Sequence, residues 1–271
     1  MIKLSDKKIN LQGTRNAREL GGYVTVDGKK VKRGLLLRTA ELSALTDADV
    51  CLLKERFNLG TVIDFRLYDE MLEKPDVAID GVDYHNISVM SVPDDQETKD
   101  VFTKADRTDP IVMIKLCEKF GLFDDRLYSG VVTSKTGKSG YKRFFDLLLN
   151  SPDDRAVLWH CTSGKDRTGI AAALILSALG VDENTLLEDY LLTNAFNEQL
   201  ILNFKQGISA LTDDVSLIDK APLIHYSVDG AFMKNMIETL KSGYKSINGY
   251  LSQELGLKQS DFEELKRKYL E

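Results

Sequence analysis

Cysteine and histidine are scarce in this chain, with three of each in 271 residues. Cys51, Cys117 and Cys161 are far apart and odd in number, which argues against a disulfide framework. There is no paired CxxC and no HExxH spacing, and His85 and His225 stand alone. No metal site and no cofactor are expected. Unpaired cysteines fit a reducing compartment. No long Lys/Arg run occurs and the formal net charge is −6, so a nucleic-acid partner is not expected. Any positive field must be local, made by a few residues around a pocket. The longest apolar run, Gly169 to Val181, is too short to span a bilayer, so no stable membrane anchor is expected. The opening MIKLSDKKIN has no signal-peptide-like apolar stretch. The expectation is a cytoplasmic protein, with secretion left open because a cleaved signal leaves no trace. Repeats and low-complexity linkers are also missing.

The hydrophobic share is 43%, enough for a core in one large domain or two small ones. Gly60–Phe65, Tyr84–Val89 and Arg155–His160 are rich in β-branched residues and read as buried strands. Val31–Arg38 is a further strand candidate. Thr46–Phe57 reads as a helix capped by Thr46, with Asp47 and Asp49 in its first turn. Tyr141–Asn150 has helical spacing and stops before Ser151-Pro152. Thr168–Leu179 is a small-residue apolar helix that Gly180 is placed to end. From Asp182 to about Tyr250 the pattern is mainly helical, with Leu186, Leu187, Tyr190 and Leu191 on one face. Ser260 and Glu263 have capping-box spacing for a last helix, Asp261–Leu270. Strands alternating with helices predict an α/β fold with a central, mostly parallel sheet flanked by helices. The expected organisation is one domain over 1–271. The helical stretch at about 182–250 is either an inserted cap or an outer layer.

The segment Trp159–Gly169, WHCTSGKDRTG, concentrates the chemistry. A strand ends at His160 and a helix starts near Thr168. A tight loop between them turns successive main-chain N–H groups inward, and the helix N-terminus adds partial positive charge. Such a nest binds a tetrahedral oxyanion. Thr162, Ser163, Gly164, Lys165, Asp166 and Arg167 would line it. Gly164 lets the backbone turn without a Cβ clash. Arg167 can fork two N–H bonds onto phosphoryl oxygens. Cys161 lies at the base of the nest, where the same field favours a thiolate. A thiolate there can attack phosphorus, giving a cysteinyl-phosphate that water hydrolyses. The Thr168 hydroxyl is expected to hydrogen-bond the sulfur, and His160 to orient the loop through a ring hydrogen bond. An apolar core alone would not place Gly, Lys, Asp and Arg between a strand and an apolar helix. For Cys51 and Cys117 a core role is expected. Gly137-Lys138-Ser139 is not a nucleotide-binding loop, because Val132 stands where glycine is needed.

HCTSGKDRTG resembles the HCx5R loop of protein-tyrosine and dual-specificity phosphatases. The GKDRTG ending is most similar to a bacterial subgroup active on phosphotyrosine and, in some members, on phosphoserine/threonine and phosphoinositides. Thr14–Tyr23 (TRNARELGGY) is similar to that subgroup's NxRDLGG element, with Glu19 in place of the commoner Asp. Leu37–Asp49, Ile63–Arg66 (IDFR) and INGYLSQELGL near the C-terminus are also similar. Little is recognisable between Glu73 and Ser139 or from about Phe196 to Val228. The resemblance implies a phosphorylated protein, peptide or phosphoinositide substrate, with inorganic phosphate as product. It implies Asp166 as a candidate general acid, a role typically worth ~10²–10⁴-fold; the alternative is a carboxylate that orients Arg167. Asp64, at a strand end, is the second candidate, with an ion pair to Arg66 or a loop-bracing hydrogen bond as its alternative role, and Asp94 and Asp95 are outsiders. Lys165, a second cation at the rim, would favour substrates with more than one phosphate. Arg18 and Arg38 either add positive field or form structural ion pairs. A silent phosphate-binding module, a sulfurtransferase and an arsenate reductase are the alternatives. The last two would not account for the NARELGG and IDFR segments.

Overall fold

Ala156–His160 (AVLWH) is buried at every position, the condition of a strand in the middle of a parallel sheet. The computed structural model describes residues 4–91, 109–121 and 123–271, so Asp94 and Asp95 lie outside the described residues. The strands are β1 (Arg18–Glu19), β2 (Leu36–Thr39), β3 (Leu59–Asp64), β4 (Asp83–Asn86) and β5 (Ala156–His160), in the spatial order β1-β2-β5-β3-β4. β2, β5, β3 and β4 are parallel, and β1 adds antiparallel to β2. The edge strand β4 is largely exposed.

Successive residues of a strand point to opposite faces, and β5 uses both. Val157 and Trp159 enter a large cluster with Ile63, Phe65, Phe144 and Leu174. Ala156 and Leu158 enter a smaller one with Leu37, Leu53, Phe57 and Val62. Helices cover both faces, as the alternation of elements predicts. They are α1 (Asp47–Glu55), α2 (Tyr68–Glu73), α3 (Pro110–Lys119), α4 (Leu127–Thr133), α5 (Lys135–Asn150) and α6 (Asp166–Leu179). Then follow α7 (Glu183–Phe196), α8 (Glu198–Ser209), α9 (Val215–Lys220), α10 (Gly230–Tyr244), α11 (Ile247–Gln253) and α12 (Gln259–Tyr269).

Thr46 caps α1 in a reciprocal box with Asp49, and Gly180 ends α6 at φ +90°. The last helix starts two residues before the predicted Asp261, because Asp261 reaches back to the Lys258 N–H. On α7 the buried line is Leu186, Asp189, Tyr190 and Thr193, while Leu191 is exposed. The predicted leucine stripe is thus replaced by a partly polar one. The helical stretch after Gly180 divides: α10 and α11 join the main core, whereas Ile208, Leu217 and Ala221 form a separate cluster with Ile114 of α3. Cys117 is buried as expected; Cys51 is exposed, not a core residue.

Candidate active site

β5 delivers Cys161 at its carboxyl end, where open α/β sheets bind ligands, and α6 begins at Asp166. Gly164 turns the intervening loop with φ +64°, and a Cβ there would meet the Thr39 carbonyl oxygen at 2.3 Å. The loop's carbonyls point outward to partners. Gly164 O accepts from Asn16 Nδ2 at 2.8 Å and from Arg38 Nη2 at 3.0 Å. Thr162 O accepts from the Glu41 N–H and Lys165 O from the Gly169 N–H. Arg167 O and Thr168 O accept from Tyr141 Oη and Trp159 Nε1, each at 3.2 Å. Among the described residues, no main-chain N–H from Thr162 to Thr168 donates to another group of the protein. Buried amides normally find partners. A run of them left free, with the carbonyls of Thr162, Gly164, Lys165, Arg167 and Thr168 turned to other partners, is an anion nest.

Arg167 closes the nest. Its Nη1 and Nη2 donate to the two carboxylate oxygens of Glu70 at 2.6 and 2.9 Å, and Nη1 also reaches Phe65 O at 3.3 Å. Its Nε–H has no partner among the described residues. Glu70 also accepts from the Leu67 N–H at 2.8 Å and from Thr162 Oγ1. Burial pushes the Glu70 carboxyl up, but Arg167, Thr162 and the Leu67 amide outweigh it and hold it at about 2. One carboxylate therefore caps α2 and aims the guanidinium.

Asp166 opens α6, and Tyr128 of α4 donates a short hydrogen bond to its Oδ1. Its Oδ2 lies 3.3 Å from Lys165 Nζ. Lys165 is not a solvent-facing rim cation: it is only 4% exposed. Its ammonium donates to the carbonyls of Leu223 and Ser227, in the turn Ala221–Leu223 and the residues after it. Arg15 donates to Ser163 Oγ at 3.4 Å and stacks on the Tyr226 ring at 5.5 Å. Residues 221–227 thus cover the loop.

Three of the predicted site residues, Asp64, Arg18 and Arg38, prove to be supports. Asp64 is fully buried, and its carboxylate is bound by the main chain, Nε and Nη2 of Arg66 at 2.9–3.0 Å and by Tyr84 Oη. A saturated carboxylate is not free to protonate a leaving group, so of its two expected roles the contacts match the ion pair with Arg66 and not the acid. Arg18 and Arg38 are buried ion partners of Asp189, at 3.2 and 2.8 Å, rather than pocket cations. Burial pushes the Asp189 carboxyl up, but the two guanidiniums and Tyr23 outweigh it and hold it at about 2. The Thr168 hydroxyl is buried without a hydrogen-bond partner, so the expected bond to sulfur is not made. His160 does face carboxylates: Nε2 lies 3.0 Å from Asp76 and Nδ1 3.7 Å from Asp64. The first distance suits an ion pair, although its direction falls short of a hydrogen bond.

Among the described residues, Asp64, Asp76 and His160 are the group whose ligand atoms lie close enough to share a metal ion. Arg66 Nη2, 2.9 Å from both carboxylates, already supplies the positive charge there. Sequence reasoning missed Glu70, Asp76, Tyr128 and Asp189. Leu67-x-x-Glu70 gave no cap signal, because leucine has no capping oxygen. A lone aspartate on the buried stripe of α7 was a legible signal.

A strand-delivered cysteine, a ring of unpaired amides and a carboxylate-aimed arginine together define the cysteine-dependent phosphatase class. The chain belongs to the tyrosine phosphatase family, whose sequence model matches residues 9–271. It is 27% identical to a Cupriavidus necator protein provisionally named a tyrosine-protein phosphatase, over 94% of this chain and 85% of that one. It is 28% identical to the triple specificity protein phosphatase PtpB of Mycobacterium tuberculosis, over 92% of this chain and 94% of that one. A tyrosine-protein phosphatase of Nostoc commune is 32% identical over 60% of this chain and 49% of its own length.

Proposed function

We propose that the chain hydrolyses phosphotyrosine through a cysteinyl-phosphate, with further reach to phosphoserine/threonine or phosphoinositide substrates. The observation that carries the reading is the unpaired amide run of Thr162–Thr168 around Cys161, closed by Arg167. The Cys161 thiolate attacks phosphorus: the P–S bond forms as the P–O bond to the leaving group breaks. Asp166 gives its proton to the departing oxygen. Water then attacks phosphorus, Asp166 takes a proton from it, and the P–S bond breaks to release inorganic phosphate and the thiolate. Amides and guanidinium stabilise the charge on the equatorial oxygens in both steps.

Lys165 supports the wider range of substrates. Its ammonium is held by Leu223 and Ser227 carbonyls, and once released it offers charge to a second phosphate. We read residues 1–271 as one domain, with the region around 198–227 as a cap over the loop, because that region keeps its own small apolar cluster. Thiol chemistry at Cys161 needs a reducing environment, which supports a cytoplasmic site of action.

The test is hydrolysis of a small aryl phosphate. Cys161→Ser and Arg167→Ala should abolish it or lower it by at least about 10²–10³-fold, and a chelator should leave it unchanged. Full activity in the serine variant would reject the reading. A kinetic panel of phosphotyrosine peptide, phosphoserine peptide and phosphoinositide ranks the substrates.

A further inference from the structure

Tyr128 lies in a stretch where the sequence carries no recognisable motif, yet its phenol touches the loop's acidic residue. The ring is buried on α4 and makes edge contacts with Tyr190 at 5.9 Å and Phe232 at 5.5 Å. Its hydroxyl donates to Asp166 Oδ1 and lies 2.8 Å from the Tyr190 hydroxyl. A phenol has one proton to give. Tyr128 gives it to the carboxylate, so Tyr190 is the donor between the two tyrosines. The chain runs Tyr190 to Tyr128 to Asp166, and each bond polarises the next.

Tyr190 is itself fixed. Its ring rests on Gly169 of α6, where a Cβ would meet ring carbons at 3.1 and 3.4 Å. Burial, with the Asp166 carboxylate close by, pushes the Tyr128 hydroxyl well above its ordinary range, so it stays a donor. The Asp166 side chain is partly open, 34% exposed, with Tyr128 on Oδ1 and Lys165 Nζ 3.3 Å from Oδ2.

We infer that Tyr128, backed by Tyr190, is the positioning residue of the proton donor: it occupies Oδ1 of Asp166, so that Oδ2, which rests 3.3 Å from Lys165 Nζ, carries the proton toward the leaving oxygen once Lys165 turns to substrate. This rests on Asp166 acting as the acid. Tyr128 exchanges no proton with substrate. It sets which carboxyl oxygen faces the ester and keeps that oxygen from rotating away. Misplacing a catalytic group by about 1 Å can cost up to ~10²-fold.

Leaving-group dependence tests this. An ester of a strongly acidic nitrophenol departs without help, whereas a phenyl ester or phosphotyrosine needs the proton. Wild-type kcat should vary little across such a series. Asp166→Asn should make it fall steeply toward the poorer leaving groups. Tyr128→Phe, which keeps the ring contacts, should lower the phenyl ester by about tenfold and the nitrophenyl ester by much less. Tyr190→Phe, which leaves Tyr128 in place, should show the same pattern more weakly. The double variant Tyr128→Phe/Asp166→Asn should be no steeper than Asp166→Asn alone. A Tyr128→Phe loss equal across all esters would overturn the inference while leaving the acid role intact. So would a double variant steeper than Asp166→Asn. Insoluble Tyr128→Phe together with a flat profile in Tyr190→Phe would also overturn it. A flat profile in Asp166→Asn would instead overturn the acid role, and this inference with it.

Discussion

At the residue scale, the site depends on carboxylates that never meet substrate. Glu70 is the clearest case, because both outer nitrogens of Arg167 are tied to it. Glu70→Gln keeps the size and one acceptor but loses the second charged bond. Arg167 should then wander, and kcat/KM for an aryl phosphate should fall by about tenfold or more, read by steady-state kinetics. Asp189 is the second case. Its folded-state carboxyl, near 2, lies below the ordinary 3.8. Its stabilisation is complete above pH 4 and is lost as pH falls toward 2. Asp189→Asn strands Arg18 and Arg38 in the interior, so at pH 7 it should be less stable by ~3 kcal/mol. The gap to wild type should narrow below pH 4, as followed by urea unfolding at several pH values. These roles were hard to read because each is a long-range pairing. Cys161 and Arg167 sit in one short loop, and a loop is legible as a string. Glu70 to Arg167 and Arg18 to Asp189 are set by the fold. Asp64 illustrates the converse: its place at a strand end was read correctly, while its engagement with Arg66, two residues on, decides that it braces rather than reacts.

At the element scale, the loop works because β2 and β5 lie side by side. Thr39 is in register with His160, so the backbone of β2 runs directly beneath Gly164. That position combines a left-handed φ with a carbonyl at 2.3 Å from any added Cβ. Gly164→Ala should cost ~1–2 kcal/mol from backbone strain alone, and the clash adds to that. The larger effect should be on the nest. Phosphate should no longer raise the melting temperature of the variant, whereas bound ligand stabilises the wild type by mass action. Differential scanning fluorimetry with and without inorganic phosphate would read both. The strands β3 and β5 were legible because a buried parallel strand is a short apolar run. β4 was displaced in the reading because Asp83–Asn86 is an exposed edge, and its pairing comes from β3 rather than from its own composition. The caps of α1 and α6 were legible for a local reason: one side chain or one glycine decides each.

At the scale of the whole molecule, the loop is nearly sealed. Cys161 is 2% exposed and Ser163 7%, and residues 221–227 hold Lys165 of the loop and Arg15 beside it. Inorganic phosphate needs little room, but a phosphorylated side chain on a peptide needs this cover to move. What holds the cover is modest: Lys165 to two carbonyls, Asn197 Nδ2 to Tyr226 O at 2.7 Å, and the Tyr226 ring between Arg15 and Phe204. Behind it stands a small apolar cluster separate from the main core. A region with few apolar contacts opens at lower free energy than the core. Tyr226→Ala removes the ring that bridges cover and body while leaving the loop, Arg167 and Asp166 untouched. Hydrogen exchange at residues 221–228 should then quicken by at least about tenfold, with α5 and α6 unchanged. If opening limits entry, kcat/KM for a phosphopeptide should rise relative to that for a small aryl phosphate. Faster exchange with an unchanged ratio would mean that the cover moves freely already, and that the depth of the pocket beneath it, rather than access to it, selects the substrate.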